Sequence, residues 1–149
     1  MISALSAARA LCEMSGWDLS NLKLQKILYI AHMLYLGRHG QPLIDKNFEA
    51  WEYGPVVPAV YQRLRGFGSE PVGNVFHWEP ELSKDTEEYK ALKQAFDTTK
   101  EFSAGQLVSI THSPKGAWYK VYEPSVRGIV IPNDMILEEY RVRSPEPAA

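Results

Sequence analysis

The sequence of 149 residues contains one cysteine, Cys12, and this scarcity restricts the folds it can adopt. A lone thiol cannot form an internal disulfide, so a small secreted domain held together by disulfides is excluded. The expected location is a reducing compartment, the cytoplasm. Cys12 lies in a helical pattern among apolar neighbours. We predict that it is a small core residue, because a reactive thiol needs an exposed, electropositive environment.

The chain also lacks a large excess of one charge and any long apolar segment. Its 16 lysine and arginine residues nearly balance 18 aspartate and glutamate residues, so the formal net charge is -2. Attraction to nucleic acid or to an anionic membrane would require a basic excess. No apolar run approaches the roughly 18 residues that cross a bilayer, and the N-terminus lacks a basic signal-peptide start. We therefore expect no membrane association.

Catalytic and metal-binding patterns are missing as well. No two of the four histidines, at positions 32, 39, 77 and 112, have the i, i+4 spacing of a zinc-binding helix. The sequence contains no G-x-S-x-G motif, no phosphate-binding P-loop and no G-x-G-x-x-G motif. We predict a protein that is not an enzyme and that needs neither a metal nor another cofactor.

What the sequence does contain is the periodicity of a helical protein. Along residues 24–35 apolar side chains recur at i, i+3, i+4 and i+7, which builds one apolar face. The opposite side is also largely apolar, because it carries Tyr29, Ile30, Met33 and Leu36. We predict that this helix is central in the core and that Gly37 ends it as a C′ glycine.

The remaining pattern predicts one domain over residues 1–143 and a C-terminal tail over 144–149. Ser103 and Gln106 have the spacing of a capping box and predict a helix start. The strand-forming segments 43–44 and 48–51 flank turn residues and predict a β-hairpin, and Gly54-Pro55 is predicted to open the next helix. The expected fold is mainly α (α+β), a compact bundle of about six helices with a small β-hairpin.

Aromatic residues are concentrated around the turn at residues 51–53 and again near residue 118. Large aromatic side chains contribute most of the binding energy at many protein interfaces. We therefore predict a set of partner-binding residues, five near these turns and two on the second face of the long helix: Trp51, Tyr53, Tyr61, His112, Trp118, Tyr29 and Met33.

DNA binding is an alternative that the sequence leaves open. Residues 3–36 have the outline of a helix-turn-helix, in which the start of the second helix reads bases. That position holds Asn21, Lys23, Gln25 and Lys26. Against this, the second helix is apolar on nearly all sides, and the chain lacks the basic footprint that phosphate contacts require. Nucleic acid is therefore not an expected partner.

Three segments carry a family resemblance that extends over about residues 3–141, nearly the whole chain. They are Leu24-Gln25-Lys26-x-Leu28-Tyr29, Ala50-Trp51-x-Tyr53-Gly54-Pro55-Val56, and Thr111-His112 followed by Ala117-Trp118. These segments resemble the Panacea antitoxin-domain family, which comprises SocA/GepA-like phage-associated proteins. The ending, Gly128-x-x-Ile131-Pro132 with Met135-Ile136, is similar to that family too.

The resemblance implies a function that composition and spacing could not supply. Members of the family are antitoxins, encoded beside a small toxin that they neutralise by direct binding. Some act as adaptors that deliver the toxin to an AAA+ protease. The implied partners of this chain are therefore a cognate toxin encoded in the same operon and, for an adaptor, such a protease. The alternative is a helix-turn-helix-type DNA-binding repressor of a phage or toxin operon.

Overall fold

A computed structural model describes residues 1–143, which form seven α-helices and a three-stranded antiparallel sheet. The helices are α1 Ala4–Met14, α2 Asn21–His39, α3 Pro58–Leu64, α4 Glu87–Thr99, α5 Ala104–Thr111, α6 Ala117–Val121 and α7 Asn133–Arg143. The strands are β1 Phe48–Trp51, β2 Gly54–Val56 and β3 Val130–Ile131, in the order β2-β1-β3. The fold is thus mainly α with a small β part, as predicted. The predicted tail, 144–149, lies outside the described residues.

Helix α2 lies at the centre of the core, as its apolar pattern predicts. Leu24, Ile27 and Leu28 are fully buried on it, and Tyr29 and Met33 on its second face are buried as well. The helix packs against α1, α4, α5 and α7. Burial on all sides explains why apolar residues surround it, since each packed face removes a further strip of apolar surface from water.

The end of α2 differs from the prediction. The helix continues through Gly37 to His39, and Gly40 ends it instead, with a positive φ of 67° and its N–H donated to Leu36 O at 2.9 Å. Gly37 serves a different purpose: a β-carbon at this position would overlap the ring of Tyr140 on α7. The absence of a side chain at Gly37 therefore lets the two helices approach closely.

Replacing Gly37 with alanine is expected to lower the free energy of unfolding by about 1–3 kcal/mol, because overpacking outweighs alanine's better helix propensity. Urea denaturation measures this. In a Tyr140→Ala background the ring is gone, so the same change should become stabilising by about 0.5–1 kcal/mol. Equal effects in both backgrounds would contradict close packing as the role of Gly37.

The hairpin forms from different segments than the sequence predicts. β1 pairs with β2, with Glu49 opposite Val56 and Trp51 opposite Gly54, across a turn at residues 52–53. The segment 43–44 instead pairs with the N-terminus, where Ile2 N donates to Leu43 O at 2.8 Å. Two short apolar segments beside a turn could pair with either neighbour, and only the packed fold selects one of them.

Gly54-Pro55 does not begin a helix. Pro55 lies in β2 opposite Ala50, and α3 begins at Pro58, which takes the first helical position. Side chains of α2 hold the intervening backbone extended by hydrogen bonding to Pro55 O and Val57 N. The predicted helix start is therefore wrong by about one turn. Other local predictions are confirmed, among them the capping box of Ser103 and Gln106.

Candidate functional site

The first two family segments meet at a buried junction between α2 and the hairpin. Gln25 accepts a hydrogen bond from Val57 N at 2.9 Å and donates one to Asn21 Oδ1 at 3.1 Å. Lys26 donates from Nζ to Pro55 O at 3.1 Å. Because unpaired buried polar groups are costly, these bonds fix the course of the chain from β2 into α3. The motif residues at this junction therefore position the hairpin.

Gly54 belongs to the same junction and leaves no room for a side chain. Its φ is 118°, a conformation that favours glycine. A β-carbon there would lie 2.9 Å from Lys26 Cε and 3.0 Å from Thr111 Oγ1. The glycine of the second family segment thus allows the lysine of the first and the threonine of the third to converge on one turn.

Burial perturbs the charged group at this junction. Lys26 is fully buried, and the loss of hydration lowers its pKa from 10.5 to about 7. Burial likewise lowers the pKa of His112, and the Lys26 charge lowers it further, although a hydrogen bond with the Tyr53 backbone opposes this. His112 therefore stays neutral near pH 7.

The third family segment forms an aromatic stack beneath the hairpin. The rings of His112 and Trp118 are parallel within 7° at a centroid distance of 3.7 Å, and Tyr122 stacks on Trp118 at 4.6 Å. Trp118 also donates its indole N–H to Trp51 O at 2.7 Å. Stacking and this hydrogen bond together support β1 from below.

A buried carboxylate on α7, Glu139, joins three parts of the fold. It accepts hydrogen bonds from Tyr29 Oη at 2.6 Å, from Ala117 N at 3.0 Å and from Arg143 Nε at 2.7 Å. Glu139 is 2% exposed, and the burial of Tyr29 together with the charge of Glu139 holds the pKa of Tyr29 well above the usual range. Glu139 is not among the residues predicted from the sequence. The sequence feature that could have indicated it is its position three residues after Ile136, on the inward face of α7.

The accessibility of the predicted partner-binding residues varies widely. Tyr29 and Met33 are in the core, at 1% and 7% exposure, and Trp118 is also buried, so none of the three can act as a surface anchor in this fold. The second face of α2 is apolar because α7 and β1 cover it: Tyr29 bonds Glu139 and packs edge-to-face on Phe48. His112 is half-buried in the stack.

Three of the four positions that suggested base reading are buried, and Lys23 is half-buried. Asn21, Gln25 and Lys26 are 5%, 1% and 0% exposed, and their polar atoms are hydrogen-bonded within the protein. A recognition helix needs these side chains at its surface. The helix-turn-helix interpretation of residues 3–36 is therefore contradicted by the packing of α2.

The remaining predicted residues are accessible: Trp51 and Tyr53 on the hairpin and Tyr61 on α3. Tyr53, at the turn, is 62% exposed, and half-buried Trp51 packs edge-to-face against half-buried Tyr61 at a centroid distance of 4.8 Å. A groove of about 820 Å³ separates the hairpin from the loop at 122–128 and is lined in part by Tyr122 and Val126. We call these five residues the hairpin surface.

Comparison with known proteins gives the family to which this chain belongs. The family model described as "Antitoxin SocA-like, Panacea domain" matches residues 24–119, a range that contains all three family segments. The chain therefore belongs to the antitoxin SocA-like, Panacea-domain family, and the resemblance seen in the sequence is confirmed.

One relative is a particular antitoxin. The chain is 35% identical over 109 residues to Antitoxin SocA of Caulobacter vibrioides (strain NA1000 / CB15N). The match covers 67% of this chain and 58% of that protein, so the aligned part is little more than half of the relative. No solved structure matches the chain. Among the described residues, no helix is both long and apolar enough to cross a membrane.

Proposed function

We propose that this protein is an antitoxin that neutralises a cognate small toxin by binding it directly through the hairpin surface. Membership of the antitoxin SocA-like family supports the role. One observation supports the hairpin as the location of the binding surface. Its aromatic side chains remain accessible, although buried residues beneath the hairpin hold its backbone in place. Tyr53, 62% exposed, is the most accessible of them.

The junction below the hairpin explains why this surface suits binding. Lys26 binds Pro55 O within β2, Gln25 binds Val57 N just after β2, and Trp118 binds Trp51 O at the end of β1. An aromatic residue on a fixed backbone loses little conformational entropy when a partner binds, so more of its contact energy appears as affinity. Buried motif residues thus support exposed contact residues, which is how we interpret the family segments.

Binding through the hairpin surface is compatible with two ways of neutralising the toxin. Occlusion blocks the toxin's active surface, whereas an adaptor presents the bound toxin to an AAA+ protease. Toxin abundance during co-expression separates the two. A stable toxin in a stoichiometric complex supports occlusion, and a toxin that disappears only when antitoxin and protease are both present supports delivery.

The proposal predicts that Tyr53→Ala weakens toxin binding at least about tenfold, since an interface anchor contributes ~2 kcal/mol or more. The exposed tyrosine makes few native contacts, so stability should change by no more than about 0.5 kcal/mol. The measurement is calorimetric titration with the purified product of the neighbouring gene, together with growth rescue on co-expression. Tyr119→Ala is the matched control, because Tyr119 is 56% exposed and lies outside the hairpin surface.

Several outcomes would contradict this proposal. If the neighbouring gene product is not toxic, or if rescue occurs without a complex between the two proteins, direct neutralisation is wrong. If Tyr53→Ala and Tyr119→Ala bind as tightly as the wild type, the hairpin surface is not the contact site. A specific gel shift on the operon promoter by this chain would favour the repressor alternative.

A further inference from the structure

Trp78 has the most exposed large apolar side chain of the described residues, with 95% of its surface accessible. Phe76, two positions earlier, is completely buried in the core. The segment therefore directs one aromatic residue inward and the next one outward. An indole offers a large apolar area that gains free energy only when a pocket covers it. The family segments do not include this residue.

The backbone around Trp78 is a closed turn. Glu79 N donates to Phe76 O at 2.9 Å, which leaves His77 and Trp78 at the two central positions of the turn. Phe76 fixes one end of the turn by its burial, and Asn74 Oδ1 accepts from Phe76 N at 3.0 Å. The indole thus projects from a defined turn.

Two arginines from separate helices hold this turn in place. Arg9 on α1 donates to Glu79 O at 2.7 Å and to the Glu81 carboxylate at 2.9 Å. Arg63 on α3 donates to Val75 O at 3.1 Å, and its guanidinium lies 3.6 Å from the Glu79 carboxylate. A turn held from two sides presents its side chain in one position, which reduces the entropy lost on binding.

The charges at the turn indicate the kind of partner. A nucleic acid or an anionic membrane would require cations beside the indole. Arg9 and Arg63 are already engaged with carboxylates and carbonyl oxygens of the turn, so their charge is largely neutralised there. The main remaining contribution to binding energy at this turn is the burial of the indole. An apolar pocket on a protein partner can bury it.

We propose that Trp78 is an anchor residue that inserts into an apolar pocket of the toxin. This proposal rests on the proposed function and adds a contact that the hairpin surface does not include. The contribution of Trp78 to affinity comes from apolar burial and not from steering by surface charge. Removing Trp78 should therefore weaken binding equally at low and high salt.

The test compares Trp78→Ala with the wild type in calorimetric titrations with the purified product of the neighbouring gene. Affinity should fall at least about tenfold, as it does at interface anchors, while the melting temperature stays unchanged because the side chain is exposed. Trp78→Phe should retain much of the affinity. His77→Ala is the control, since His77 is an exposed residue of the same turn and should bind like the wild type.

Arg63→Gln tests whether the fixed turn matters. This variant keeps Trp78 but weakens one of the two supports, so affinity should fall by less than in Trp78→Ala. Unchanged toxin affinity in Trp78→Ala, with affinity lost in Tyr53→Ala, would reject the anchor and leave the proposed function standing. A self-associating wild type that Trp78→Ala makes monomeric would identify a second copy as the occupant and overturn the proposal. If the wild type forms no complex with the toxin, both proposals fall.

Discussion

Replacing Glu139 with alanine is expected to lower the free energy of unfolding by about 3–5 kcal/mol, the range typical of breaking a buried ion pair by removing one partner. The change leaves the Tyr29 hydroxyl and Ala117 N without their acceptor and Arg143 without its carboxylate. It also creates a cavity between α2, α6 and α7. Chemical denaturation followed by circular dichroism measures the loss.

The neighbouring residue Glu138 provides the matched control. Its side chain is 54% exposed and pairs only loosely with Arg141, at 3.9 Å. Glu138→Ala should therefore change stability by about 0.5 kcal/mol or less. If Glu139→Ala unfolds at the same denaturant concentration as Glu138→Ala, the carboxylate does not join the helices as the structure indicates.

The stability of the wild type is expected to rise with pH between about 7 and 9 because of Lys26. Its pKa is about 7 in the folded state and 10.5 ordinarily. Between these values the unfolded chain binds the extra proton, so raising the pH favours folding. From pH 7 to pH 9 the gain should be about 2 kcal/mol, since each unit of pKa difference corresponds to roughly 1.4 kcal/mol.

Lys26→Met isolates this effect because methionine does not titrate. The measured quantity is the free energy of unfolding of the wild type minus that of the variant. This difference should increase by about 2 kcal/mol from pH 7 to pH 9. Taking the difference cancels the contribution of Cys12 to the pH dependence. Burial raises the pKa of Cys12 to about 12, so its effect on stability opposes that of Lys26 above pH 9. The lowered pKa of His112 keeps its titration below the window.

Lys84→Met is the control for the general effect of losing a lysine, since Lys84 is exposed. A difference between wild type and Lys26→Met that stays constant from pH 7 to pH 9 would show that the amine is hydrated in the folded state, against the burial seen here. The absolute stability of Lys26→Met also matters. Methionine removes the cost of burying an amine but leaves Pro55 O without its donor, so the two terms oppose each other.

The sequence by itself determined the features that depend on local spacing and composition. An apolar pattern around the whole of α2 required burial on every side, and the spacing of Ser103 and Gln106 specified a helix start. The three family segments also sufficed to indicate the family, because the residues that build the hairpin junction lie in short contiguous runs. These runs can be recognised in the sequence without knowing where they meet in the fold.

Tertiary packing decided the features that depend on partners distant in the chain. Gly37 and Gly40 are both possible helix ends, and only the approach of Tyr140 shows that Gly37 is a packing position. Tyr29 and Glu139 are 110 positions apart, so no local pattern could reveal their hydrogen bond. Phe76 and Trp78 are both aromatic residues of one turn, yet Phe76 is buried and Trp78 is exposed, in a turn that arginines of two helices hold by hydrogen bonds to its backbone.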